Sequence, residues 1–192
     1  MSWLRRIFGA SDSGSRPADS DDYWYGPRLP VSAAGQRVSV DTAMQLATVY
    51  ACVRVLAETV AALPLMVYRR RDNGDKERAP EHPLYAVLHD RPIAWQTSFR
   101  FREQLMLHQA LRGNGYARIV VGSGGLIEGL EPLHPDRVTP RRARENERVV
   151  YEYRPRAGGT EVLLADEVLH LRALSDEGLV GLSPIAAQRE TL

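Results

Sequence analysis

The residues best suited to chemistry in this sequence are two glycine clusters. The run Gly122-Ser123-Gly124-Gly125 could cradle a phosphate with its backbone N–H groups, but Leu126 follows it where a phosphate-binding loop needs Lys and then Ser or Thr. The run Gly113-Asn114-Gly115 is likewise a poor dinucleotide fingerprint. Both are better explained as a hairpin turn and a helix stop, because Gly and Asn tolerate a positive φ. We therefore predict no nucleotide or cofactor site.

The histidines and the single cysteine could bind a metal only at ligand spacing. No two of the five histidines form an HxH or HxxxH pair, and Cys52 has no second thiol. We therefore predict that the chain binds no metal. His82, His89 and His134 are expected to cap helices or to face solvent, and Cys52 is expected to pack as a small apolar residue. No Gly-x-Ser-x-Gly motif presents a nucleophilic serine. The sequence thus predicts no catalytic residues and a protein that is not an enzyme.

Two basic clusters could contact phosphates. They are Arg69-Arg70-Arg71 and Arg141-Arg142-Ala143-Arg144, the second close to Glu145 and Glu147. We interpret both as solvent-exposed loop faces, with phosphate contact as the alternative. The formal net charge is only +1, so no overall field attracts nucleic acid, and the residues that contact DNA stay unassigned.

The elements that position these residues begin after a polar arm. Residues 1–37 are rich in Ser, Gly, Pro and Asp and have no periodicity, so we predict a flexible N-terminal arm. Its aromatic residues Tyr23, Trp24 and Tyr25 could anchor it on its own domain or on another subunit. The rest of the 192 residues suffices for one globular domain, and no run of 18 apolar residues predicts a membrane span.

Three helices are predicted from the spacing of apolar residues. The first covers 42–62, with Asp41 as its N-cap and Pro64 beyond its end. A short helix covers 81–88, and a third runs from Thr97 or Ser98 to Leu111. One stripe of the first helix is predicted to be buried, and its members are Leu46, Val49, Val53, Leu56, Val60 and Leu63. Burial of Leu56 predicts that Leu56→Ala costs about 2 to 5 kcal/mol.

Strands follow the helices. A strand is predicted at 65–70, followed by a charged turn and a return strand that is short at best. Further strands are predicted at 116–121, 126–133, 149–154, 162–164 and 168–171. Tyr116 opens the first strand of the second group, and we expect Tyr116→Ala to cost about 1 to 4 kcal/mol. The fold class is therefore α+β, with N-terminal helices and antiparallel β-hairpins.

Several phrases, in their order along the chain, resemble the portal protein family of tailed double-stranded DNA phages. They include Leu63-Pro64-Leu65, His82-Pro83-Leu84-Tyr85, Leu111-Arg112-Gly113-Asn114-Gly115-Tyr116, Leu130-Glu131-Pro132-Leu133, Val168-Leu169-His170 and Gly181-Leu182-Ser183-Pro184. The chain departs from the family at Gly115, where Ala is usual, and at Arg91 before Pro92. The resemblance implies structural roles for Pro64, His82, Pro83, Gly113, Asn114, Tyr116, Pro132, His170, Gly181, Ser183 and Pro184.

The resemblance also implies a function. The family forms a homo-oligomeric ring, commonly a dodecamer, at a unique capsid vertex in the virion, after assembly in the host cytoplasm. Double-stranded DNA passes through the ring during packaging and ejection, and the terminase large subunit, capsid and connector proteins dock on it. Residues 38–192 would be a wing-like domain without the family's stem and crown segments. Phage, prophage and gene-transfer-agent versions stay open, as do two alternatives: another head–tail adaptor, and a hydrolase or nuclease with a dispersed active site.

Overall fold

A computed structural model describes residues 39–143 and 148–187 of the protein. The predicted arm, with its aromatic residues, lies outside the described residues, as does Arg144. The division into an arm at 1–37 and a domain at 38–192 therefore stays a prediction.

Two helices replace the single helix predicted at 42–62, namely α1 (Val40–Met44) and α2 (Ala47–Ala62). The Ser39 hydroxyl accepts from the Thr42 backbone N–H at 3.2 Å, and the Thr42 hydroxyl accepts from the Ser39 N–H at 2.7 Å. This capping box makes Ser39 the N-cap and puts Asp41 inside the first turn, so the prediction of Asp41 as N-cap is wrong. Extended backbone at Leu46 separates the two helices.

The buried face of α2 differs from the predicted stripe. Val53, Ala57 and Ala61 are buried, and the two alanines permit a close approach to the helix Ser98–Arg112 (α4). The guanidinium of Arg102 in α4 donates two hydrogen bonds, at 2.7 and 3.1 Å, to the Ala61 carbonyl near the end of α2. The close contact is therefore made by small residues rather than by the bulky ones.

Most bulky side chains of α2 point outward, whereas Val53 is buried as predicted. We call Val55, Leu56 and Val60 of α2, together with Leu63 directly after the helix, the outward face of α2; all four are exposed, Leu56 by 52%. The predicted burial of Leu56 is wrong, because both sides of the helix are apolar and periodicity alone does not select between them. Cys52 is also exposed, so the packing role predicted for it is wrong as well.

The next two helices lie where they were predicted, although the first begins at Pro83 and its helical turns end at Asp90 rather than covering 81–88. Helix α3 (Pro83–Tyr85) continues as a π-helical turn (Ala86–Asp90), and His82 Nδ1 accepts from the Leu84 N–H at 3.2 Å, which confirms a capping role. Helix α4 begins after its N-cap Thr97 and ends at Gly113, whose φ of 74° lies in the left-handed region.

All paired strands of the described residues are antiparallel, which confirms the α+β class. The strands are β1 (Tyr68–Arg70), β2 (Lys76–Arg78), β3 (Asn114–Val121), β4 (Ile127–Leu133), β5 (Val138–Arg142), β6 (Val149–Tyr153), β7 (Glu161–Leu164) and β8 (Val168–Arg172). They form a hairpin β1-β2 and two three-stranded sheets with the orders β4-β3-β8 and β5-β6-β7. A short helix, α5 (Pro184–Ala187), follows.

Strand β5 was not predicted. Its residues Arg141 and Arg142 were interpreted as part of a loop. Strand β5 is an edge strand, where Pro140 is tolerated because one side of the strand donates no ladder bonds. The Arg141 guanidinium contacts the Glu152 carboxylate of β6 at 2.7 Å. The loop interpretation of Arg141 and Arg142 is therefore wrong.

The sheet β4-β3-β8 lies between α4 and the second sheet. Because side chains alternate along a strand, Ala117 packs with Phe101 and Leu105 of α4, while its neighbour Tyr116 packs with Tyr151 of the second sheet. A third apolar cluster joins α2, α4 and α5 through Val53, Leu111 and Ile185. The end of α4 is thus the point where these layers meet.

Candidate functional site

The motif residues expected from the sequence converge where α4 ends and β3 begins. We call Asn114, Tyr116, Tyr151, His170 and Gly181 the Asn114 cluster. They come from β3, β6, β8 and the loop before α5. Gly113 and Ser183 lie directly beside the cluster, since Gly113 precedes Asn114 and Ser183 follows the loop residue Leu182.

The side chain of Asn114 is the polar centre of the cluster. It is 5% exposed. Its amide nitrogen donates to the carbonyls of Arg112 at 3.1 Å and Gly181 at 2.9 Å. Its Oδ1 accepts from the Gly181 N–H at 2.7 Å and contacts His170 Nε2 at 3.0 Å. Both donors and both lone pairs of the amide are therefore used, which offsets the cost of burying it.

These contacts determine the tautomer of His170. Because Asn114 Oδ1 can only accept, His170 donates from Nε2, and its Nδ1 then accepts from the Tyr151 hydroxyl at 3.2 Å. Burial, assisted by the charge of Arg172, lowers the pKa of His170 to about 4. The imidazole is therefore neutral at neutral pH, as this hydrogen-bonding pattern requires.

Aromatic contacts surround the same histidine. The rings of Tyr116 and His170 lie 4.4 Å apart, and those of Tyr151 and His170 meet edge to face at 5.6 Å. Tyr116 is 2% exposed, which agrees with the packing role predicted for it. Burial also raises the pKa of the Tyr151 hydroxyl. The three rings connect the two sheets.

Two glycines allow the backbones beside the cluster to touch. A Cβ at Gly113 would overlap the carbonyl oxygens of Gly181 and Leu182, and a Cβ at Gly181 would overlap the Gly113 carbonyl and approach the Ala173 nitrogen. The Gly113 carbonyl accepts from the Ala173 N–H at 2.8 Å. Only glycine fits at either position without displacing backbone.

Ser183 connects α5 to α4. Its hydroxyl donates to the Leu111 carbonyl at 2.8 Å and accepts from the Ala186 N–H at 3.2 Å. The Ser183 hydroxyl therefore caps the start of α5. Ile185 then packs on Leu111 in the apolar cluster of α2, α4 and α5.

The remaining motif residues are not in the cluster. Pro64 follows α2, His82 and Pro83 begin α3, and Pro132 of β4 pairs with Ala117. Sequence reasoning selected no role for Tyr151, although it lies in a strand in which alternate residues face inward. That alternation was the signal that could have identified it.

A second group of titratable side chains lies on the other side of the α4 end. Arg112 makes two hydrogen bonds to the Asp136 carboxylate, at 2.7 and 2.9 Å, and His108 meets His134 edge to face at 5.3 Å. Burial, with the charges of His134 and Arg112, lowers the pKa of His108 to about 4. Burial opposes ionisation of Asp136, but the Arg112 hydrogen bond and charge outweigh it and lower the pKa of that carboxyl.

The chemistry open to these groups is limited. Asn114 and His170 are fully engaged with protein groups, so neither has a free atom to offer a substrate. A depression of about 520 Å³ opens beside the cluster, but no carboxylate lines it, its residues being Gln109, His170, Leu171, Arg172, Ala173, Ser175 and Gly178. Within 39–143 and 148–187, no three His, Cys, Asp or Glu side chains are grouped to hold a metal, and no helix is long and apolar enough to span a membrane.

Comparison with known proteins links these residues to a family. The family model for the phage portal protein matches residues 47–192, which include every element from α2 onward. The portal protein of Enterobacteria phage HK97 is 31% identical over 82% of this chain and 38% of its own length. The probable portal protein of Streptomyces phage phiC31 is 30% identical, with 100% of this chain and 44% of that protein covered.

The fold is similar to that of one chain in a solved particle structure. A chain from the neck of an empty gene transfer agent (GTA) particle, computed with C6 symmetry, superposes with a TM-score of 0.65 at 25% identity. The match covers 78% of this chain and 41% of that chain. This chain therefore spans less than half the length of these three proteins.

Proposed function

Because the chain belongs to the phage portal protein family, we propose that it supplies part of a ring subunit at a unique capsid vertex. Double-stranded DNA would pass through this homo-oligomeric ring during packaging and ejection. The terminase large subunit, capsid and connector proteins would dock on it. The proposal places the protein in the virion, after assembly in the host cytoplasm.

One observation carries this proposal, namely the match of residues 47–192 to the family model. The match includes the Asn114 cluster, the two apolar clusters around Tyr116 and Ala117, and all of the third cluster except its α1 residues, so the resemblance extends beyond one motif. A ring forms when one surface of each subunit contacts a different surface of the next and the rotation closes.

We also propose that the chain has a structural role and no catalytic one. The motif residues Gly113, Asn114, Gly181 and Ser183 connect the end of α4 to the loop before α5. Most of their contacts are with backbone groups of the chain itself, and Asn114 also contacts the His170 side chain, which supports a role in holding the fold. Terminase would then supply the ATP hydrolysis that drives packaging.

Negative-stain electron microscopy of the purified protein that carries this sequence tests the ring. We expect closed rings with a central hole, and we expect Asn114→Ala to reduce their number in proportion to the loss of folded protein. Gly124→Ala is the matched control, since a Cβ at this exposed turn position meets nothing within 4 Å. Monomers or open filaments at concentrations where the control variant is folded would contradict the proposal.

A further inference from the structure

The β1-β2 hairpin separates its charged side chains between two faces. Residues directly opposite each other in an antiparallel ladder lie on the same face, so the pairs Tyr68 with Arg78 and Arg70 with Lys76 share one face. We call these four residues the cationic face. All four are exposed to solvent.

The opposite face has its charges paired. Arg69 is opposite Glu77 in the ladder, and its guanidinium contacts the Glu81 carboxylate at 2.5 Å. Arg71 contacts Glu77 at 2.6 Å. Ala79, two residues after Glu77 and therefore on the same face, is buried. This paired face is thus the one that meets the body of the protein.

The cations of the other face lack such partners. Arg70, Lys76 and Arg78 form no ion pair with any residue in the described part of the chain. The hairpin's carboxylates lie elsewhere: Glu77 belongs to the paired face, and Asp72 and Asp75 lie at the turn. The run Arg69-Arg70-Arg71, which was interpreted as a loop face, therefore lies at the end of β1 and the start of the turn. Arg69 and Arg71 form ion pairs, and Arg70 forms none within the described residues.

The spacing of these cations suits a polyanion. Residues two apart in a strand are separated by about 7 Å, and the neighbouring strand lies about 4.8 Å away, so three positive side chains project from a small area. Double-stranded DNA carries one negative charge per roughly 1.7 Å of its axis, which is dense enough to neutralise all three at once. Their mutual repulsion would be relieved in such a complex.

We propose that the cationic face binds the phosphate backbone of double-stranded DNA. The choice of DNA among polyanions rests on the proposed function, in which DNA passes the ring. The contact is independent of base sequence, because positive charges on a narrow two-stranded ribbon read the backbone rather than the base edges. Arg69 and Arg71 contribute little to it, since Glu81 and Glu77 already neutralise them.

Two double variants with the same change in net charge test this inference. R70Q/R78Q removes cations from the cationic face, and R69Q/R71Q removes the paired arginines. Binding of a fluorescein-labelled DNA duplex is measured by anisotropy across a series of salt concentrations, with circular dichroism to verify the fold. We expect R70Q/R78Q to weaken binding and to reduce the slope of log K against log salt by about 1.8, that is about 0.9 for each phosphate contact. R69Q/R71Q should retain the wild-type slope.

Three results would overturn the inference. They are equal losses in both variants, no loss in either, and competition by polyglutamate as effective as competition by unlabelled duplex at equal charge. The last result would mean that an acidic protein surface is an equally good partner. Ring counting on the same variants separates the two proposals. Rings without the difference in slope contradict only this inference, whereas the difference without rings contradicts the proposed function.

Discussion

In most folded proteins polar side chains are exposed and apolar side chains are buried. The Asn114 cluster departs from this rule because its polar groups are buried, and the outward face of α2 departs from it because its apolar groups are exposed. The cluster buries polar groups and engages every hydrogen-bonding position of Asn114, whereas the outward face leaves Leu56 and Leu63 more than half exposed. Buried polar groups that are fully bonded specify which backbones meet. Exposed apolar residues contribute little to the fold of the chain that bears them. The comparison indicates that the Asn114 cluster determines how the elements of the fold meet, whereas the outward face of α2 contributes to the surface of the chain and little to its stability.

The largest loss of stability should follow Gly113→Ala. The residue must adopt a φ of 74°, and its new Cβ would overlap the carbonyls of Gly181 and Leu182. We expect the free energy of unfolding to fall by about 3 kcal/mol or more, from left-handed strain and backbone displacement together. Chemical denaturation measures it, with Gly124→Ala as a control expected to change stability by less than about 0.5 kcal/mol. Equal effects would mean that the cluster does not need this close approach.

Asn114→Ala should have the next largest effect. It leaves the Gly181 N–H, the Gly181 carbonyl and His170 Nε2 without their partner, at a position where Asn114 is only 5% exposed. We expect a loss of about 2 to 4 kcal/mol. Asn73→Ala is the matched control, because Asn73 lies in the exposed turn of the β1-β2 hairpin and should cost under about 1 kcal/mol. A loss at Asn114 no greater than at Asn73 would refute the role of the amide.

Acid should weaken the folded chain through two buried histidines, His108 and His170, before it weakens most carboxylate pairs. The pKa values of His108 and His170 are about 4 in the folded chain, against about 6.5 when unfolded. Between these values the unfolded chain binds more protons than the folded chain. The stability that the two histidines contribute is therefore complete above about pH 6.5 and is lost as the pH falls to about 4.

Urea midpoints measured between neutral pH and pH 4.5 test this dependence. Each histidine should contribute on the order of 1 to 3 kcal/mol to the decline. In a His108→Gln variant the decline should be smaller than in the wild type, because this buried imidazole is no longer present to be protonated. A curve for His108→Gln that parallels the wild type would show that burial does not keep this imidazole neutral.

The smallest effect is expected on the outward face of α2. Leu56→Ala should cost under about 1 kcal/mol, since the side chain is 52% exposed. Leu105→Ala in α4 is the matched change at 3% exposure and should cost about 2 to 5 kcal/mol. A loss at Leu56 as large as that at Leu105 would restore the burial expected from periodicity. A loss of ring assembly without a loss of stability would assign Leu56 to a contact between subunits.

The sequence allowed accurate prediction where the signal was local. Thr97 and Gly113 determine the ends of α4, and Gly125, Gly158 and Gly159 adopt the positive φ expected of hairpin turns. Prediction was wrong where periodicity fitted two buried faces equally well, as it did for the two apolar sides of α2. Strand β5 was missed because Pro140 is tolerated only at an edge, and edge position depends on the whole sheet.

The contacts of the Asn114 cluster lay beyond prediction from periodicity. Asn114 and Gly181 are 67 positions apart, and β3 pairs with β8 across a similar separation. Family resemblance identified the residues but not their contacts. From the sequence, these residues could be predicted only to have structural roles, because they belong to family motifs. The contacts in the structure explain why glycine and asparagine occupy those positions.

The measurement that most directly tests the structural account is the ring yield of Tyr116→Ala, counted by electron microscopy beside its free energy of unfolding. Tyr116 is 2% exposed and contacts His170 and Tyr151, so truncation should cost about 1 to 4 kcal/mol, as expected from the sequence. We predict that ring yield falls with the folded fraction and recovers when conditions that favour folding restore that fraction. A Tyr116→Ala protein that folds and forms rings as the wild type does, but lacks a chemical activity that the purified wild type has, would contradict the account.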